Sequence, residues 1–141
     1  MKFKVLALWL ILMWAGSSAL ASELVHTDCP ERIRCFSHGT SRSLFCMDFS
    51  GASPRICTVG GIVGGEHITT IRLTGDPGDT FLLKFFSISG RPGFSIPGDH
   101  VSLTRLGNGQ SWVSMDEGHT TVDLHVSAHP FGKYRFLIKK L

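Results

Sequence analysis

The sequence is poor in the features that mark membrane-spanning, helical or catalytic proteins. After residue 21 it has no apolar run long enough to cross about 30 Å of hydrocarbon, and no extended segment with helical periodicity. The G-x-S-x-G elbow of α/β-hydrolases is absent. The single asparagine, Asn108, is followed by Gly-Gln and forms no N-glycosylation sequon. These absences favour a chain of strands and turns without a recognisable catalytic motif.

The first 21 residues are typical of a cleaved signal peptide. Lys2 and Lys4 give a positively charged start, the apolar run VLALWLILMW follows, and Ala-Leu-Ala at residues 19–21 is the pattern that signal peptidase cleaves. The apolar run is too short for a transmembrane helix. We therefore expect a single secreted domain over residues 22–141, extracellular or periplasmic, with no stable membrane insertion after signal cleavage.

Little net charge remains once the leader is set aside. The chain has 14 Lys and Arg against 11 Asp and Glu, and removal of Lys2 and Lys4 leaves 12 against 11, a net charge of +1. A nucleic-acid-binding protein needs a clustered basic face to neutralise phosphates, so no nucleic acid partner is expected. The late basic cluster is interpreted as the solvent-facing side of a terminal strand; it consists of Lys133, Arg135, Lys139 and Lys140.

An even number of cysteines behind a signal peptide indicates disulfides. The four are Cys29, Cys35, Cys46 and Cys57, and they allow three connectivities. If LFCMDF and RICTV formed a hairpin, Cys46 would lie opposite Cys57, which favours that pairing and leaves Cys29 for Cys35. The other two connectivities stay open. The spacings lack the close Cys-x-x-Cys pairs of structural zinc sites.

Strand signals alternate with turn signals from Ile68 to the end of the chain. Six segments have the composition of strands, and Asn108-Gly109 between two of them is typical of a hairpin. Glycine and proline mark the breaks, among them the segment AHPFG at residues 128–132. The pattern predicts an all-β protein: an antiparallel β-sandwich, immunoglobulin-like or jelly-roll, with its N-terminal part stapled by disulfides. A small β-barrel is the alternative.

The segment TVGGIVGGEH contains IVGG, which resembles the mature N-terminus of trypsin-like serine proteases. Activation in that family requires Lys or Arg before the freed Ile, whereas Ile62 follows Gly60 and Gly61. The AAHC and GDSGG contexts of the catalytic His and Ser are absent. The motif therefore implies no protease, and its glycines predict instead a flexible joint between the cysteine-bearing part and the later strands.

Histidine and aspartate recur near the C-terminus with a spacing that suits a metal. His119, Asp123 and His125 share parity, so a regular strand would place all three on one face. Imidazole and carboxylate groups bind zinc or copper, and such a pair can also serve acid-base chemistry. The alternative is the solvent-facing polar side of an amphipathic strand. Zinc or copper at these three residues is the one cofactor hypothesis.

Trp112 is the only tryptophan after the leader. It alternates away from Val113, which is compatible with the solvent face, although a core position remains open. On the solvent face it would offer a large rigid apolar plane for recognition.

The sequence thus favours a secreted, non-enzymatic binding module that recognises a protein or a glycan, as an adhesion protein, an inhibitor or an effector. The alternative is a small secreted metal-binding protein or enzyme that uses His119, Asp123 and His125.

Overall fold

The computed structural model describes residues 22–51 and 55–141, and most of them lie in β-strands. A short 3-10 turn, Pro30–Arg32, is the exception to the strand pattern. The predicted signal peptide lies outside the described residues. In the part that is described, no helix is long and apolar enough to cross a membrane. The strands are β1 (Ser22–Thr27), β2 (Ile33–His38), β3 (Arg42–Asp48), β4 (Ile56–Gly64), β5 (Ile68–Thr74), β6 (Thr80–Ser95), β7 (Val101–Gly107), β8 (Gln110–Met115) and β9 (Thr121–Lys140).

Two long strands divide one continuous sheet into two halves. Residues 121–126 of β9 pair with β5, whereas residues 131–139 pair with β4. β6 follows the other edge of β9 along almost its whole length. We call the part built on β2, β3 and β5 the β5 half, and the part built on β1, β4, β8 and β7 the β4 half. Most neighbouring strands are antiparallel, but β3 and β5 are parallel.

The two halves face each other across a single apolar core. Alternate residues of β9 point into it from both ends of the strand, with Val122 and Leu124 on one side of the crease and Phe136 and Ile138 on the other, all fully buried. The rings of Phe94 and Phe136 meet edge to face, with their centroids 5.0 Å apart. Each such side chain contributes about 1.5–3 kcal/mol when fully buried. Burial of this alternating set is the reason that the amphipathic strands fold over.

The all-β prediction is confirmed, and the arrangement fits the sandwich class. The predicted hairpin at Asn108-Gly109 is also confirmed, since β7 and β8 pair and both turn residues have positive φ, 51° and 74°. The predicted turn at residues 128–132 is wrong. The two strands expected on either side of it form a single strand, β9, of 20 residues. Its pairing with β6 shifts register there, since Gly90 is opposite Gly132 and Pro92 is opposite Ala128.

All four cysteines are paired, but not as the hairpin argument favoured. The bonds join Cys29 to Cys57 and Cys35 to Cys46. The expected hairpin is wrong because its two strands lie in different halves: β3 pairs with β2 and β5, whereas β4 pairs with β1 and β9. Cys35 and Cys46 lie opposite each other on β2 and β3. The other bond is buried in the core and ties β4 to the connection between β1 and β2.

The glycine-rich segment around Ile62 is not a joint. It lies within β4, hydrogen-bonded to β1 on one side and to β9 on the other, and Gly60 and Gly61 are buried. A Cβ atom at Gly60 would lie 2.9 Å from the carbonyl oxygen of Tyr134. Small residues are therefore needed here for close strand packing rather than for flexibility.

A pair of glycines lies at the crease where the sheet bends. Gly90 of β6 is opposite Gly132 of β9. Gly90 has a φ of +69°, and an added Cβ would lie 2.1 Å from the carbonyl oxygen of Phe131. A Cβ at Gly132 would lie 2.7 Å from Pro92. Only glycine permits the two backbones to approach so closely.

We expect Gly90→Ala to lower the free energy of unfolding by at least about 2–3 kcal/mol, because the new methyl group meets backbone and the residue is held at positive φ. Gly93→Ala is the matched control in the same strand, since its Cβ would meet nothing within 4 Å. That variant should stay within about 1 kcal/mol of the wild type. Urea unfolding of both variants is the measurement, and equal stability of the two would contradict the role of the crease.

Candidate functional site

The outer face of the β4 half carries four cations that form no ion pair with any residue whose side chain the structure describes. They project from β6 and from the last part of β9, where alternate residues point away from the core. We call this surface the basic face. Its cations are Lys84, Lys133, Arg135 and Lys139.

Trp112 lies on the same face. It is directly opposite Leu82 of β6, which in turn is opposite Lys139 of β9. Neighbouring strands are about 4.8 Å apart, so the indole lies within about 10 Å of a cationic strand position. Its side chain is 46% exposed, whereas Val113 next to it is fully buried. The structure thus places Trp112 on the solvent side of β8, with an apolar plane beside positive charge.

Two further features shape the basic face. The ammonium group of Lys84 lies 5.1 Å from the centroid of the Phe86 ring, a cation–π contact that keeps this cation close to the sheet. A depression of about 250 Å³ opens between Lys133 and Arg135, with Gly60 and Gly61 among its lining residues and His26 at its rim. The absence of side chains on the glycines leaves room for this depression.

Lys140 does not belong to the basic face, contrary to the sequence interpretation. Its ammonium group is 2.9 Å from Asp76 and 3.1 Å from Asp79, and it donates a hydrogen bond to the carbonyl of Phe49. The hydrogen bond with Asp76 is the main cause that raises the pKa of Lys140. The parity of β9 explains the difference, because Lys140 follows the inward set of Phe136 and Ile138.

The residues of the hypothetical metal site are not gathered together. His119 precedes β9, is exposed, and stacks on His100 with ring centroids 4.3 Å apart. Asp123 accepts two hydrogen bonds from Arg72, at 2.8 Å and 3.0 Å, which occupy both carboxylate oxygens. His125 lies two residues further along the outer face of the β5 half. Asp123 and His125 do lie on the same face of the strand, but the carboxylate of Asp123 is hydrogen-bonded to Arg72.

Within residues 22–51 and 55–141, the one group that brings three potential ligand atoms within 4.8 Å of one another is Asp28, Cys29 and Cys57. Both cysteines are joined in a disulfide and offer no thiolate to a metal. His119, Asp123 and His125 do not form such a group.

A chain of hydrogen bonds that the sequence does not reveal joins two histidines through a serine. The hydroxyl of Ser43 lies 2.8 Å from Nδ1 of His38 and 2.8 Å from Nε2 of His67. Ser43 and His67 are both buried, at 3% and 4% exposure. The partners are 5 and 24 residues apart in sequence, and only the parallel neighbours β3 and β5 bring their segments together.

The environment of His67 opposes its protonation. Burial lowers the pKa of the imidazole, and the nearby charge of His38 acts in the same direction, whereas the backbone of Thr40 acts in the opposite direction. The hydroxyl of Ser43 is itself buried and is not open to solvent. We interpret this arrangement as a structural connection between β2, β3 and the turn before β5.

We expect the protein to lose stability on acidification through His67. Its folded-state pKa lies below the value of about 6.5 of the unfolded chain, so the unfolded state binds the extra proton first. The contribution is complete above about pH 6.5 and is lost as the pH falls from there towards the folded-state pKa. Thermal unfolding between pH 8 and pH 5 should therefore depend less on pH in His67→Gln than in the wild type. The exposed His129→Gln is the control, and an equal reduction in that variant would contradict the assignment.

Comparison with known proteins shows a likeness in fold alone. No family model and no curated protein matches the chain. Among solved structures, the chain is similar to PliG of Aeromonas hydrophila, a periplasmic lysozyme inhibitor of g-type lysozyme, with a TM-score of 0.52 and 11% sequence identity. The match covers 72% of this chain and 100% of PliG. The two disulfides fit an oxidising compartment outside the cytoplasm, and the all-β chain shares its fold with an exported inhibitor.

Proposed function

We propose that this chain is a secreted, non-enzymatic protein that binds an acidic surface of another protein through its basic face. The observation that carries the proposal is the combination on one outer face of a half-exposed Trp112 with four cations that have no ion pair among the described residues. Surface cations of a monomer are usually interspersed with acids, and a face of one sign favours a partner of the other.

The charge distribution supports a complementary partner rather than a general attraction to anions. Residues 22–141 carry a net charge of only +1, so the concentration of cations on one face is local. A partner with acidic residues would gain speed of association from this field.

The residue types on the basic face are those that dominate binding energy in protein interfaces. Tryptophan and arginine are enriched among such residues, and each brings a large contact area at low cost in conformational entropy. The flat outer side of a β-sheet holds its side chains in fixed directions, so Trp112 and Arg135 keep their spacing before the partner arrives. The inhibitor whose fold this chain resembles is itself a protein that acts on another protein.

The test begins with capture of partners from the native extracytoplasmic fluid after nuclease treatment. A captured protein counts in favour of the proposal only if the purified partner binds the wild type with an affinity that falls as salt rises. We expect Trp112→Ala to weaken binding about 30-fold or more, as for a central residue worth about 2 kcal/mol. Phe36→Ala is the matched control, because Phe36 is an exposed aromatic residue of the β5 half, at 62% exposure.

Arg135→Gln should reduce the association rate and the salt dependence. Arg91→Gln, which removes an exposed arginine with no ion pair among the described residues, should leave both unchanged. The proposal would be overturned by a partner whose affinity responds to Phe36→Ala but not to Trp112→Ala. It would equally be overturned if no protein were retained, while an oligonucleotide added to the purified protein bound with an affinity that Arg135→Gln lowers.

A further inference from the structure

A second depression, of about 300 Å³, lies on the outer face of the β5 half, away from the basic face. Its floor follows one row of paired residues across four strands, in which Ser37 is opposite Leu44, Leu44 is opposite Thr70, and Thr70 is opposite His125. The remaining lining residues are Arg42, Ser43, Arg72 and Asp123. Side chains from β2, β3, β5 and β9 therefore converge on one place.

The guanidinium group of Arg72 is held in position by Asp123. Its Nε lies 2.8 Å from Oδ1 and its Nη2 lies 3.0 Å from Oδ2, so one edge of the planar group is fixed by two hydrogen bonds. An arginine has five N–H donors, and this pairing uses two of them. The Nη1 group and the second hydrogen of Nη2 have no partner among the described residues, which leaves a second edge that can receive a carboxylate.

The balance of charge in this depression is positive. Two arginines line it against one carboxylate, and Arg42 forms no ion pair with a described residue. A divalent metal at Asp123 and His125 would be repelled by both guanidinium groups and would have to displace Arg72 from Asp123. Two of the three residues that the sequence suggested as metal ligands, Asp123 and His125, thus line a depression whose charge favours an anion.

The remaining lining groups suit a hydroxylated anion more than a simple ion. Ser37 and Thr70 offer hydroxyl groups that can donate or accept, His125 offers a ring nitrogen, and Leu44 offers an apolar surface between them. A volume of about 300 Å³ is at the lower end of the range for small-molecule sites, which restricts the ligand to about one sugar ring.

We propose that this depression binds an acidic monosaccharide, either free or at the end of a glycan. The sugar carboxylate pairs with the free edge of Arg72 and with Arg42, its ring C–H groups lie against Leu44, and its hydroxyl groups bond to Ser37, Thr70 and His125. The site lies in the other half of the molecule from the basic face, so it is independent of the proposed protein partner.

The test is a titration of the isotopically labelled protein with glucuronate, followed by amide chemical shifts. We expect saturable shifts confined to the lining segments of β2, β3, β5 and β9, with a Kd of about 1 mM or below. Glucose and the methyl ester of glucuronate lack the charge and should bind at least about tenfold more weakly. A glucuronate-terminated oligosaccharide that binds more tightly than the free sugar would identify a glycan end as the source.

Variants separate this site from the other features of the protein. Arg42→Gln should weaken glucuronate binding about tenfold or more, while Arg42→Lys should retain part of it. Arg91→Gln is the matched control, and Arg135→Gln on the basic face should also have no effect. Each control also removes one positive charge, and neither residue lines the depression.

Three results would overturn the proposal. The first is no saturable shift with glucuronate up to about 10 mM, a concentration well above the expected Kd. The second is binding that Arg42→Gln does not weaken. The third is inorganic phosphate binding as tightly as glucuronate with the same dependence on Arg42, which would show a general anion site without selection for a sugar.

Discussion

The close approach of β6 and β9 at their paired glycines is the constraint on which the rest of the structure depends. Gly90 and Gly132 let two long strands bend together without losing their hydrogen bonds on either side of the crease. The pairing shifts register at the crease and resumes beyond it, so the backbone groups of both strands have partners on either side of the bend. Since β5 and β4 then add to different parts of β9, the bend decides which strands face each other across the core.

The same bend gives the molecule two outer faces of different chemistry. Along β9 the outward residues change from Asp123 and His125 in the β5 half to Lys133, Arg135 and Lys139 in the β4 half. One strand therefore supplies a paired acid and an imidazole to one face and unpaired cations to the other. The core side of the strand is largely apolar from Val122 to Ile138, before Lys140, which allows both faces to vary while the packing is kept.

Alternation along single strands was predictable from the sequence, and pairing between strands was not. The inward set of Val122 and Leu124, the hairpin at Asn108, and the outward position of Arg135 follow from local chemistry that needs no knowledge of neighbours. The predicted disulfide pairing was wrong because Cys46 and Cys57 are close in sequence but not in space. β3 and β4, which carry them, lie in different halves.

The glycines show a similar limit. A glycine that serves a turn and one that admits a neighbouring backbone are identical in a sequence, and only the position of Tyr134 beside Gly60 distinguishes them. The sites have the same dependence on long-range pairing. Arg72 meets Asp123, 51 residues away, only because β5 and β9 are neighbours, and Ser43 meets His67 only because β3 and β5 are.

β9 lies at the centre of the sheet yet follows all of its partners in the chain, so neither half can complete its core until β9 has been synthesised. Most of its contacts are distant in sequence, which slows folding.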